Sequence, residues 1–90
     1  MNGVVDNANK SRFEMEEGGL VAFANYHRRG SVLVIPHVEA PPPLRGTGAA
    51  GRLMAGVLAL VRQRREKIVP TCSYAAAYMR QHKDQQDLLA

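Results

Sequence analysis

Arg45-Gly46-Thr47-Gly48-Ala49-Ala50-Gly51, entered through Pro41-Pro42-Pro43 and Leu44, is the stretch of this chain best suited to anion chemistry. Two glycines two apart let the backbone turn tightly and approach a ligand, because no Cβ stands in the way. The first N–H groups of a helix that opens there have no partner within the helix, and the positive end of its dipole lies behind them. Arg45 adds a permanent charge that forks onto phosphate oxygens. The combination reads as a pyrophosphate cradle. No Gly-Lys-Ser/Thr follows, which excludes a nucleoside-triphosphate loop. Gly46, Gly48 and Gly51 give G-x-G-x-x-G, but without the acidic residue and the βαβ context of a dinucleotide fingerprint.

Four further residues have side chains able to take part in group transfer. Cys72 falls between an expected strand and an expected helix, where a helix dipole favours the thiolate and hence nucleophilic chemistry. The competing role is that of a small buried hydrophobe. His37 stands where a strand leaves the sheet and can take a proton near neutral pH, or simply bond to backbone. Glu39 shares a strand face with His37 if alternation holds; it is a base acting through water or a solvated carboxylate. Tyr74 offers a neutral phenol as proton donor, or packs on Tyr78 one turn along. His27 and His82 read as surface residues. One cysteine and three histidines without paired ligand spacing give no metal site.

These residues need elements to position them. Alternation over Ser11–Glu16 predicts a half-buried strand, Gly18-Gly19 a turn, and Leu20–His27 the second strand of a hairpin. Arg28-Arg29-Gly30 is the next turn. Ser31–Ile35 is a nearly continuous apolar strand, the pattern of a sheet covered on both faces. Val4-Val5 adds a short edge strand. Pro36 has no N–H to give a ladder, so it marks a bulge or strand end. Leu53, Met54, Val57, Leu58, Leu60 and Val61 then recur at helical spacing from about Gly48 to Glu66, with Arg52, Arg62, Gln63, Arg65 and Glu66 on the polar side. Lys67–Cys72 is a short parallel strand completing a crossover, and Ser73 caps a helix to His82. In the closing segment Leu88 and Leu89 are placed to dock. The fold class is α+β with a mixed sheet: antiparallel strands, then helix, strand, helix.

Ninety residues make one domain, 1–90, of which 46% are apolar, enough for a core. A single cysteine excludes an intrachain disulfide and suits a reducing compartment. No long apolar run exists, and Met1-Asn2-Gly3 opens neither a signal nor a transit peptide, so a cytoplasmic protein without membrane contact is expected. The net charge of +4 suits anionic ligands. The basic residues are scattered and few aromatic rings lie among them, which argues against nucleic acid.

Arg45-Gly46-Thr47-Gly48-Ala49-Ala50 resembles the R/Q-x-x-G-x-G/A motif of the GNAT superfamily of acetyl-CoA-dependent N-acyltransferases. His37 shortly before the prolines, Pro70-Thr71-Cys72-Ser73-Tyr74 after the helix, the early Arg12-Phe13-Glu14 and the closing Asp87-Leu88 resemble its minimal YjdJ-like branch. The resemblance implies a twisted sheet opened between the fourth and fifth strands. Acetyl-CoA, the acyl-donor cosubstrate, would lay its pantetheine arm in that opening along Val38 to Ala40. Its pyrophosphate would rest on the amides of Gly46, Thr47, Gly48, Ala49 and Ala50, beside Arg45. The implied reaction is acetyl transfer to a primary amine of a small molecule or peptide, directly or by way of Cys72. The alternative is a CoA-binding or protein-interaction module with little catalysis.

Overall fold

The computed structural model describes residues 3–90; Met1 and Asn2, on which part of the expectation about a leader rests, lie outside the described residues. Strands β1 (Val4–Asn7), β2 (Arg12–Glu17), β3 (Leu20–Arg29) and β4 (Val32–Glu39) form an antiparallel meander. Helix α1 (Ala49–Gln63) crosses back, β5 (Lys67–Pro70) pairs parallel to β4, and α2 (Ser73–Gln81) follows. A 3-10 turn over Lys83–Leu88 closes the chain. Leu89 bridges Ile68 and the Ala90 N–H donates to the Ile68 carbonyl, so the C-terminus covers the outer edge of β5. This is the mixed, α+β sheet that the sequence predicts.

The core lies on one face of the sheet. Phe13, Met15, Ala22, Ala24, Leu33, Ile35 and Ile68 share that face and pack against Leu53, Met54, Val57, Leu58 and Val61 of α1. Ala75 and Met79 of α2, with Leu88, join the same cluster. Each such large aliphatic side chain contributes about 1.5–3 kcal/mol on burial. The apolar stripe read from the sequence is thus core. The expectation that β4 is covered on both faces is corrected: Leu33 and Ile35 are buried, whereas Val32 and Val34 remain partly exposed. An apolar run arises here without a second layer because β-branched residues also suit a half-exposed pleat.

Pro36 marks a bulge, and β4 runs on beyond it. Asn25 pairs with His37 and His27 with Val34, so β3 advances two residues while β4 advances three. The extra residue falls at Ile35-Pro36, where proline has no N–H to give the ladder. Pairing to β5 ends at the same point, with Ile35 opposite Pro70. The sheet therefore splits: β4 continues with β3 to Glu39, while β5 turns into α2.

Two helix boundaries differ from the sequence pattern. Helix α1 stops at Gln63 rather than Glu66, because Arg65 takes a left-handed φ of 57° and two bonds close the end. The Glu66 N–H reaches the Val61 carbonyl and the Arg65 N–H that of Arg62, a Schellman closure. Glu66 is accordingly buried instead of facing solvent, and it pairs with Arg28. Ser73 is the first residue of α2 and Cys72 occupies the cap position, with no side chain capping it.

Candidate active site

The split between β4 and β5 opens a cleft of about 490 Å³. His37, Val38, Glu39 and Ala40 of β4 and its end line one wall. Leu44, Arg45, Gly46, Gly48, Ala49, Ala50 and Gly51 line the second, with the Tyr74 hydroxyl of α2 beside Gly51. The β4 wall is an unpaired strand edge, which offers backbone donors and acceptors to an extended ligand. The α1 N-terminus has no side-chain cap. The N–H groups of Ala49, Ala50 and Gly51 have no partner inside the helix, and they border the cleft.

Local chemistry explains why this loop takes its shape. The three prolines stiffen the exit from β4 and nucleate a 3-10 turn over Pro42–Leu44, with the Arg45 N–H on the Pro42 carbonyl. Gly46 and Gly48 adopt φ of 78° and 85°, which other residues enter only at a cost. Arg45 donates its Nε to the Ala40 carbonyl at 3.1 Å, tying the loop to the end of β4. Its terminal nitrogens remain for a phosphate.

Thr47 departs from the expected role. Its N–H and its hydroxyl both donate to the Leu44 carbonyl, at 3.2 and 2.5 Å, and it does not line the cleft. It shapes the cradle from behind. Arg52, which sequence pattern placed simply on the polar side of α1, does the same. Its Nε and one terminal nitrogen hold both Glu17 oxygens at 2.7 and 2.8 Å, and the other holds the Thr47 carbonyl at 2.9 Å. A Cβ on Gly48 would lie 3.0 Å from that last nitrogen. Gly48 is thus fixed by the Arg52 brace as well as by φ. The one available sequence signal was a lone arginine one turn after a glycine loop. Leu44 and Gly51, part of the same sequence stretch though not assigned to the ligand, also line the cleft.

On the β4 wall of the cleft, His37 Nε2 and Glu39 Oε1 are 2.9 Å apart. Both side chains are about half exposed, and the His37 ring packs beside Phe23 at 6.1 Å between centroids. Alternation beyond the bulge holds, so the pair shares one face. Tyr74 is partly exposed, and burial of its ring raises the phenol above its ordinary pKa, keeping it protonated at neutral pH. Tyr78 packs beside Tyr74 and stacks on His82 at 3.8 Å. His82 is therefore not a plain surface residue: its Nδ1 also meets the Tyr78 carbonyl at 2.8 Å. His27 is exposed.

Cys72 is not brought to the cleft lining. It is half-buried and packs against the core, its N–H donating to the Ile35 carbonyl at 3.0 Å. Among the described residues no group of three or more His, Cys, Asp and Glu is placed to hold a metal ion, and no helix is long and apolar enough to cross a membrane.

Residues 12–88 match the family model described as GCN5-related N-acetyl-transferase. Among solved structures, the fold is similar to the NMR solution structure of a GCN5-like candidate N-acetyltransferase from Staphylococcus aureus. The TM-score is 0.74 at 21% identity, over 97% of this chain and 86% of that one. At that identity the likeness speaks to fold alone. A comparison with curated proteins found no match.

Proposed function

Because this chain belongs to the GCN5-related N-acetyltransferase family, we propose that its cleft takes acetyl-CoA and that it acetylates a primary amine by direct transfer. The observation that carries the reading is that one cleft is lined both by an uncapped helix N-terminus and by a His37–Glu39 pair. Pyrophosphate suits the amides of Gly46, Gly48, Ala49 and Ala50, with Arg45 adding charge. The Thr47 amide is already spent on Leu44. The pantetheine arm suits the edge of β4 along Val38 to Ala40, where the Ala40 carbonyl is already held by Arg45.

The chemistry follows from the remaining groups. An amine reaches the site protonated, and His37, paired with Glu39, removes its proton so that the nitrogen lone pair is free. The amine attacks the thioester carbonyl; the C–N bond forms and the C–S bond breaks. The attacking nitrogen, positively charged once the C–N bond forms, gives its second proton to solvent, and the departing CoA thiolate takes the Tyr74 phenol proton. Exchange with solvent reprotonates Tyr74 and deprotonates His37, with one proton released overall per turnover. Binding and orientation supply much of the rate. Cys72 takes no part in this route, which needs no covalent enzyme intermediate.

Titration with acetyl-CoA, following the amides of Gly46 to Ala50, tests the assignment. Shifts confined to that loop and the β4 edge are expected, and an unmoved loop would sink it. Tyr74→Phe should then lower kcat by roughly 10- to 100-fold with little change in KM for acetyl-CoA.

A further inference from the structure

Both helices pack on one face of the sheet, and among the described residues no element covers the other. Arg12–Asn25–His37 and Glu14–Phe23–Glu39 are neighbouring rows that run across β2, β3 and β4 on this open face. The strand period divides the Arg12-Phe13-Glu14 stretch: Phe13 goes to the core, while Arg12 and Glu14 stand on the open face with the His37–Glu39 pair. Arg12, Glu14 and Phe23 have no task in the transfer chemistry above.

The His37 ring needs more support than Glu39 gives it. Among the described residues Glu39 is the one side chain hydrogen-bonded to the imidazole, and both groups are about half exposed. Water competes for such a bond, so an exposed pair holds its geometry weakly. The ring also packs on Phe23, with 6.1 Å between centroids and the planes inclined by 55°, a tilted aromatic contact. No layer lies above Phe23, but the Arg12 guanidinium sits over its ring at 4.4 Å. Arg12 in turn is fixed by Glu14 at 2.6 Å, and Glu14 also accepts from Asn7 Nδ2 at 3.2 Å. The bond from Arg12, first, holds the Glu14 carboxyl below its ordinary range, so the pair stays ionised at neutral pH. Each link restrains a side chain that is otherwise free to rotate. Diagonal neighbours on adjacent strands lie within reach of rings and long side chains, so the register permits the cross-strand steps.

Resting on the acetyltransferase reading above, we infer that Phe23, capped by Arg12, is the positioning residue of the His37 base. Phe23 does not line the cleft, so it acts through His37 and not on the ligand. It fixes the direction in which the imidazole meets the amine. A proton passes only over hydrogen-bond distance, and a misplacement of about 1 Å costs up to ~100-fold in rate. Leucine at position 23 keeps an apolar side chain but removes the flat wall, and the imidazole then turns more freely.

The test uses Phe23→Leu, Phe23→Tyr, His37→Gln and the Phe23→Leu/His37→Gln double variant, with ethanolamine as the amine. Phe23→Leu should lower kcat about 10-fold and leave KM for acetyl-CoA within about twofold. The Gly46 to Ala50 amides should still shift with acetyl-CoA, which a misfolded chain could not show. Phe23→Tyr keeps the ring and should restore the rate. On the His37→Gln background, Phe23→Leu should cost nothing further, because the group it positions is gone. Arg12→Met should lower kcat about threefold, as the ring loses its cap but stays in place. An unchanged kcat in Phe23→Leu, or a loss that simply adds to that of His37→Gln, would overturn the inference while leaving His37 as the base. A His37→Gln chain at full rate would overturn the base assignment and the positioning role together. A last readout needs no transfer at all: the ring protons of His37 should move towards their free-peptide resonances in Phe23→Leu and return in Phe23→Tyr, with those of His82 unmoved. Static His37 resonances would overturn the inference even where ethanolamine is acetylated.

Discussion

The two ends of α1 are built on opposite plans. At its C-terminus the Schellman bonds close the backbone, and Glu66 turns inward onto Arg28. Arg28 lies beside Tyr26, whose hydroxyl donates to Asp6 at 2.7 Å, and Asp6 in turn holds Arg64 at 2.8 Å. At the N-terminus no side chain caps the helix, and the loop is braced from behind by Arg45, Thr47 and Arg52. One end is finished by the protein itself. The other is held rigid but left with donors over, which is what an anion site requires. The contrast separates stability from function within a single helix.

The largest effect should come from filling the space that the braced end keeps clear. Gly48→Val puts a β-branched residue at φ 85°, with its Cβ 3.0 Å from the Arg52 guanidinium. Left-handed backbone alone costs roughly 1–2 kcal/mol for such a residue. Relief of the clash moves the brace, and acetyl-CoA affinity should fall by about 100-fold as aligned donors are lost. Calorimetric titration measures it. Unchanged affinity would mean that the ligand does not use this loop.

The finished end should respond the other way. Arg28→Met leaves Glu66 buried without its cation, and one Glu66 oxygen already has no hydrogen-bond partner. Because Arg28 is partly exposed, the cost falls below that of a fully buried pair, at about 1–3 kcal/mol. Urea unfolding should show it while acetyl-CoA affinity stays within about twofold. Equal damage to both quantities would erase the distinction between the ends.

That distinction was only half legible in the sequence. Gly46, Gly48 and the prolines announce the open end, because special φ values and missing N–H groups demand particular residue types. Pro36 likewise announces the bulge that splits the sheet. The closed end is silent: Arg65 is not glycine, so its left-handed turn leaves no mark, and Glu66 at helical spacing looks like a solvent residue. The roles of Arg52 and Thr47 leave no local mark either, since they depend on Glu17 and the Leu44 carbonyl, distant or backbone partners that no local pattern names. The open sheet face was hidden for a related reason. Apolar Val32 and Val34 suggest a covering layer that the described residues do not supply.

A smaller effect should come from loosening the brace without touching the loop. Glu17 is held below the ordinary carboxylate pKa of 4.5, first by its hydrogen bond from Arg52. A lowered carboxylate contributes stability that is present above 4.5 and lost as pH falls through its folded value. Acetyl-CoA affinity in the native chain should therefore decline in acid, below that range. Glu17→Gln should weaken binding about three- to fivefold at neutral pH and flatten the acid decline, since one neutral bond replaces a charged fork. A variant that still declines as steeply would place the titrating group elsewhere.

The smallest effect is expected at Cys72. Its position, before the first turn of α2, resembles a reactive-thiol site in sequence, for a helix dipole lies behind it. The fold uses it differently. Its N–H closes onto Ile35, its carbonyl accepts from Ala76, and its side chain packs on the core away from the cleft lining. Tyr74, two residues on, is the α2 side chain that faces the cleft. Cys72→Ala should thus retain turnover within about twofold, the size of a lost packing contact rather than a lost nucleophile. Mass spectrometry of native chain incubated with acetyl-CoA should find no acetyl group on Cys72. If the variant instead loses ~100-fold and the native thiol carries acetyl, the transfer is two-step and the chemistry extends from the open end of α1 into the start of α2.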